Sequence, residues 1–289
     1  MVENCNITGA FSYGFYLYHS SGDNLTRNTA DSTYLYGFYL IDSNGSTLTG
    51  NTANGDNTGF YLDHSSDSAL TRNTADSSPY GFGFWITDAS NGNTLTGNTG
   101  NNDGNGFALL NSSGNNLAGN TANGDRNGIV LDSSNSSTLT DDTADNNSFN
   151  GFNLVGSTNN NLSGNVANNN TYYGFELGSG SSNNNLSGNV ANNNTRYGYY
   201  DATAGSGTGG TANSYSGDEC SGNGVWGSGP SGLCSPQGVG TSSATEAPNF
   251  NGFNLRGSIL SGFTLVVPAL VKRRQTEAFR TNTYRPSDS

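Results

Sequence analysis

Four aromatic residues, Tyr16, Tyr39, Tyr61 and Trp85, recur 22–24 residues apart, each inside a phrase that reads Gly-Phe-x-Leu or Gly-Phe-x-Ile. If each phrase is a strand and successive phrases stack, the x side chains share one face at strand spacing. Four rings then form an apolar strip about 15 Å long. Pyranose faces stack on such rings, which makes a glycan the expected ligand. The same ladder also stabilises a sheet with no ligand at all. The column continues as Ala108, Val130, Asn153 and Glu176, so the strip is local, whereas a purely structural ladder would persist.

Two places after each core leucine, a second column reads His19, Asp42, His64, Asp88 and Asn111, with Asp63 beside it. It contains the only two histidines of the chain. Imidazoles between carboxylates can serve acid–base chemistry or hold a metal. The position also reads as a turn, where polar ladders are common. No cofactor is expected. Turns such as Asn54-Gly55-Asp56 offer oxygens to calcium, but the nine-residue Gly/Asp calcium repeat is missing and turn chemistry is preferred.

Residues 1–240 hold nineteen carboxylates against four arginines (Arg27, Arg72, Arg126, Arg196) and no lysine, while the last 49 residues are basic. An acidic body repels phosphate backbones and argues against nucleic acid. It also leaves few cations to neutralise a uronate, as a polysaccharide lyase or epimerase requires. Arg27 and Arg72 share a column near Asp31 and Asp76, where surface ion pairing is the simpler account. Cys220 and Cys234 flank a Gly/Ser-rich stretch and are candidates for a disulfide; Cys5 has no evident mate.

The elements that must position these residues come from a repeat of about 23 residues. Leucine steps begin at Leu25, Leu48, Leu70, Leu95, Leu117, Leu139, Leu162 and Leu186. Gly-aromatic phrases begin at Gly14, Gly37, Gly59, Gly83, Gly106, Gly128, Gly151, Gly174 and Gly198. Strand alternation puts Phe60 and Leu62 inside and Tyr61 outside, and likewise in each coil. The asparagine three places after each leucine (Asn28, Asn51, Asn73, Asn98, Asn120, then Asp142, Asn165, Asn189) predicts a ladder of amides that satisfies buried turn groups from coil to coil. The glycine before each aromatic predicts either a positive φ or a close backbone approach. Apolar content of 31% would otherwise suggest disorder; stacking is what makes a core possible.

The phrases Leu48-Thr49-Gly50-Asn51-Thr52-Ala53 and Gly59-Phe60-Tyr61-Leu62 resemble the parallel β-helix repeats of NosD-type, pectin-lyase-like proteins. Tyr197–Asp201, Thr211–Tyr215, Cys220–Gly224 and Gly232–Cys234 resemble the closing segment of such proteins. The resemblance spans roughly residues 5–236. It implies an all-β, single-stranded right-handed parallel β-helix (solenoid) of about nine to ten coils, 22–25 residues each. It implies an extracellular, cell-surface or periplasmic location. Some relatives cleave or epimerise polysaccharides, and NosD is linked to copper-site maturation. With one Met, two His and no Cys/His cluster, copper is not carried over to this chain.

The expected layout is a β-helix over 1–236, a linker over 237–249, and a degenerate coil or cap strand with a basic tail over 250–289. The apolar run 258–271 is shorter than the ~20 residues a spanning helix needs, which argues against a membrane anchor. Met1-Val2-Glu3-Asn4 leads straight into the repeat without a leader, as a fragment would. The expected function is that of a binding or structural surface protein whose partner is a polysaccharide or another cell-surface component. End-to-end self-association is a further expectation, and a polysaccharide lyase or epimerase is the alternative.

Overall fold

The computed structural model describes residues 1–9 and 12–236; the segments read above as linker, cap strand and tail lie outside the described residues. The chain winds as an all-β solenoid walled by parallel sheets. One ten-stranded sheet is built from the Gly-aromatic phrases: Tyr13–Tyr18, Tyr36–Ile41, Thr58–Asp63, Phe82–Thr87, Asn105–Leu110, Asn127–Asp132, Phe152–Val155, Phe175–Leu177, Tyr197–Asp201 and Trp226–Gly229. These strands number the coils one to ten, and their sheet is called the aromatic sheet below. A second ten-stranded sheet collects the leucine steps, from Val2–Glu3 to Ser214–Ser216. A third has five strands, Asn6–Thr8 to Thr99–Asn101, and continues as single bridges through Thr121, Thr143, Val166, Val190, Glu219 and Ser235.

Register is one coil per step. Phe38 pairs with Phe60 and Leu40 with Leu62, and Leu48 lies between Leu25 and Leu70. The inward rings form a pile. Phe15, Phe38, Phe60, Phe84 and Phe107 follow one another at centroid spacings of 4.6–4.8 Å with nearly parallel planes. Ile129 interrupts it, and Phe152, Phe175 and Tyr199 resume it at 4.6 and 4.9 Å. Corners between strands take the left-handed conformation at recurring places, as at Gly50, Arg72 and Gly97 (φ 63°, 55° and 61°).

The glycines before the aromatics serve close approach. A Cβ on Gly59 would stand 2.4 Å from the Ala75 Cβ and 2.8 Å from the Gly83 carbonyl oxygen. Two walls of the solenoid meet there with no room for a methyl group. Gly59→Ala is expected to lower stability by about 1–3 kcal/mol through overpacking. An unchanged urea midpoint would show that the walls can part at no cost.

Amide ladders close the polar corners. Asn51 donates from Nδ2 to the Leu25 carbonyl at 2.9 Å and to Asn73 Oδ1 at 3.0 Å. Its backbone N–H donates to the same Asn73 oxygen at 2.9 Å. A second inward column, three places after each small residue, runs Thr33, Asp56, Ser78, Asp103, Asp125, Asn147, Asn170, Asn194 and Asn223. Such ladders satisfy buried backbone groups that no strand can reach. In coil ten, Cys220 and Cys234 are bonded with their Cα atoms 5.8 Å apart, while Cys5 is a free, half-buried thiol.

Candidate functional site

The outward face of the aromatic sheet carries the aromatic column in register. Tyr16 meets Tyr39 at 5.2 Å, Tyr39 meets Tyr61 at 4.9 Å and Tyr61 meets Trp85 at 4.5 Å. The planes of Tyr39 and Tyr61 are 7° apart, and those of Tyr61 and Trp85 18°. The rings therefore lie against one another like rungs. The expectation of four exposed ring faces is corrected: Tyr16 is 51% exposed, Tyr39 and Trp85 are half-buried, and Tyr61 is only 8% exposed because its neighbours cover it. What the ladder offers to solvent is the Tyr16 side chain and the exposed parts of Tyr39 and Trp85.

A second column widens the ladder. Tyr13 lies 5.1 Å from Tyr16, Tyr36 lies 4.9 Å from Tyr39 and 4.8 Å from Tyr61, and Phe82 lies 4.7 Å from Trp85. Strict alternation would turn Tyr13 inward, because it is two places before Phe15. The intervening glycine breaks the alternation. Gly14 points inward beside Phe15, so close to Ala30 that a Cβ would lie 2.5 Å from the alanine's, and Tyr13 swings out to pair with Tyr36. The signal was present in the sequence as an aromatic immediately before Gly14, Gly37 and Gly83.

Burial first, then the negative charge of Asp63, raises the phenol pKa of Tyr39 and Tyr61 above the ordinary value. Burial also raises Tyr36, with Tyr13 and Asp63 adding to it. These hydroxyls remain neutral donors. Tyr61 Oη donates to Asp63 Oδ2 at 3.5 Å. The buried indole Nε1 of Trp85 has no partner.

The His/Asp column is a run of left-handed corners: His19, Asp42, His64 and Asp88 have φ of 50°, 49°, 48° and 48°. The column does not assemble as a single cluster. His19 Nδ1 lies 3.6 Å from Asp42 Oδ2, whereas His64 Nδ1 turns back to Asp63 Oδ1 of its own coil at 2.5 Å. That hydrogen bond is the main cause raising the His64 imidazole pKa, with Asp42 and Asp88 acting on it only through charge. Both histidines are well exposed, so the column can hold a proton at the edge of the ladder but encloses nothing. Arg27 pairs with Glu3, not with Asp31.

The sequence model of the family described as periplasmic copper-binding protein (NosD) matches residues 1–105 and 90–208. The chain belongs to the NosD family. No curated protein matches it in sequence. Among solved structures, the periplasmic alginate epimerase AlgG is 16% identical with a TM-score of 0.55, covering 82% of this chain and 71% of that one. The alginate lyase from Paenibacillus sp. str. FPU-7 is 16% identical with a TM-score of 0.50, covering 80% and 90%. These likenesses establish the β-helix fold of this NosD family member.

The family's description raises the question of copper, and the donor set here does not fit it. The two histidines sit two coils apart, His64 Nδ1 is engaged by Asp63, and Cys5 packs against the core. Among the described residues, no three His, Cys, Asp or Glu side chains group where one ion would touch them. No helix among them is long and apolar enough to cross a membrane.

Proposed function

We propose that this NosD family member is an extracytoplasmic binding protein that holds a glycan along the aromatic ladder without transforming it. The observation that carries this reading is the column of three tyrosines and a tryptophan at 4.5–5.2 Å on one sheet face, flanked by Tyr13, Tyr36 and Phe82. A repeated hydroxyl donor on a semi-apolar rim matches a sugar chain, which presents hydroxyls and C–H faces in turn. The periplasmic description of the family supports the compartment. A lyase or epimerase would need cations beside a base. At the ladder the base is the Asp63–His64 pair, while Arg27 is held by Glu3 and Arg196 lies over Tyr172.

The test is a glycan array probed with the natural chain and with Tyr39→Ala/Tyr61→Ala. The double variant is expected to lose binding by about 10-fold or more, two aromatic contacts being worth roughly 1–3 kcal/mol together. Equal binding by the variant removes the ladder as the site. New unsaturated ends released from pectate or alginate would remove the non-catalytic reading.

A further inference from the structure

The aromatic sheet carries a second ring cluster on coils seven to nine. Phe149 stacks on Tyr172 at 4.5 Å, Tyr172 meets Tyr173 edge-on at 5.0 Å, and Tyr173 stacks on Tyr200 at 4.8 Å. The Arg196 guanidinium sits 3.8 Å above the Tyr172 ring. Through the cluster runs the outward column Asn153, Glu176 and Tyr200, each paired in register with the next. Asn150 Nδ2 donates to Glu176 Oε2 at 2.5 Å, while its Oδ1 accepts the Tyr173 backbone N–H at 3.2 Å. Asn153 Oδ1 is buried and has no partner. A buried acceptor of this kind costs stability unless a donor arrives.

On the same column, the covered Ala108 (1% exposed) and the half-buried Val130 alone separate Trp85 from Asn153, so the column runs from the ladder to the second cluster with its register unbroken. Trp85 and Tyr200 are five coils apart, about 24 Å at strand spacing. The two clusters share one face and one direction, and nothing bulky stands in the outward column between them. The face is poor in cations. Asp63 and Glu176 lie on it, and Arg196 is engaged by Tyr172. A body with nineteen carboxylates against four arginines disfavours a polyanion.

We propose that the outward face of the aromatic sheet is one lengthwise track for an uncharged polysaccharide, whose second subsite is formed by Tyr173, Tyr200, Glu176 and Asn153. The proposal rests on the glycan-binding reading of the Tyr16–Trp85 ladder and extends it. Glu176 accepts hydrogen bonds from sugar hydroxyls, Asn153 lies beneath with its amide oxygen buried, and the half-buried Tyr200 ring, packed on the buried Tyr173, flanks the chain. Occupying both subsites with one chain makes the second contact intramolecular, so affinity depends on chain length.

The experiment is calorimetric titration with cello- and laminari-oligosaccharides of increasing length, and with oligogalacturonates as the charged counterpart. Affinity is expected to rise by about 10-fold or more once an oligomer spans both clusters. Glu176→Gln and Tyr200→Ala should each remove that gain, with urea midpoints near that of the natural chain. If length has no effect and both variants bind long oligomers like the natural chain while Tyr39→Ala still loses binding, the second subsite falls and the ladder stands. If Tyr39→Ala binds normally, the ladder reading falls instead. A preference for oligogalacturonates overturns the uncharged ligand.

Discussion

At pH 8 the double variant Asp103→Asn/Asp125→Asn is expected to be more stable than the natural chain by several kcal/mol, and the difference should vanish near pH 4. The cause is the second inward ladder. Where this column holds asparagine, the amide nitrogen donates to a carbonyl of the previous coil: Asn147 to Ala122 at 3.2 Å, Asn170 to Ala144 at 3.1 Å, Asn194 to Ala167 at 2.9 Å. Asp125 Oδ2 occupies the corresponding place. A Cβ on Gly106 would lie 2.6 Å from it, just as one on Gly128 would lie 2.9 Å from Asn147 Nδ2. Oδ2 of Asp56, Asp103 and Asp125 has no partner. By register it faces the carbonyl of Ala30, Ala75 or Gly100, and only a protonated carboxyl can donate to an oxygen there.

Burial accordingly pushes these carboxyl groups up, Asp56 to about 6, Asp103 to about 7 and Asp125 to about 9, against the backbone hydrogen bonds that pull the other way. Unfolded, each ionises near 3.8. Between that value and the folded one, the native state holds a proton that the unfolded chain has released. Stability therefore falls as pH rises through the window and levels off above it. Each pH unit of the window costs about 1.4 kcal/mol per group. Urea titrations at pH 4, 6 and 8 check this; parallel slopes in variant and natural chain would show that the carboxyl groups are not the source. Asp142 in the first ladder has the same unpartnered Oδ2 and a carboxyl raised to about 7, so Asp142→Asn should act in the same direction.

The two ladders also separate what the sequence discloses from what it conceals. Phe38, Leu48 and Asn51 were legible because each recurs at one period with its chemistry unchanged, and identical residues stacked in parallel are self-consistent. The second ladder alternates Thr, Asp, Ser and Asn within segments that also look like turns, so its hydrogen-bond logic appears only once Asp125 is seen standing where Asn147 stands. Tyr13 and Tyr36 were hidden by Gly14 and Gly37, which absorb one step of strand alternation at a corner. For His64 the sequence shows Asp63 beside it and Asp42 and Asp88 in its column, and the choice among these carboxylates is what it leaves open. His19 and His64 share the same left-handed corner, but a carboxylate, Asp63, directly precedes His64 and engages it, whereas Tyr18 precedes His19 and leaves its imidazole toward Asp42.

Phe84→Ala is expected to cost about 3–5 kcal/mol, whereas Phe84→Ile should cost less than about 1.5. Phe84 is fully buried, 4.8 Å from Phe60 and 4.6 Å from Phe107. The protein itself carries the milder experiment: Ile129 stands in the same pile after Phe107, fully buried, with the register of its strand intact on both sides. The pile thus requires volume at each level more than it requires rings, and alanine leaves a void that both neighbours line. In a solenoid each coil rests only on the next, so a void in coil four weakens the junction between the coils before it and those after it. The urea transition of Phe84→Ala should therefore broaden as well as shift. Trp85 follows Phe84 on the same strand, and its spacing from Tyr61 is set by the ring beneath, so the variant should also loosen glycan binding at the ladder. A Phe84→Ala protein that unfolds within about 1 kcal/mol of the natural chain would mean that coil stacking is held by the amide ladders and strand hydrogen bonds alone, with the aromatic pile a passenger.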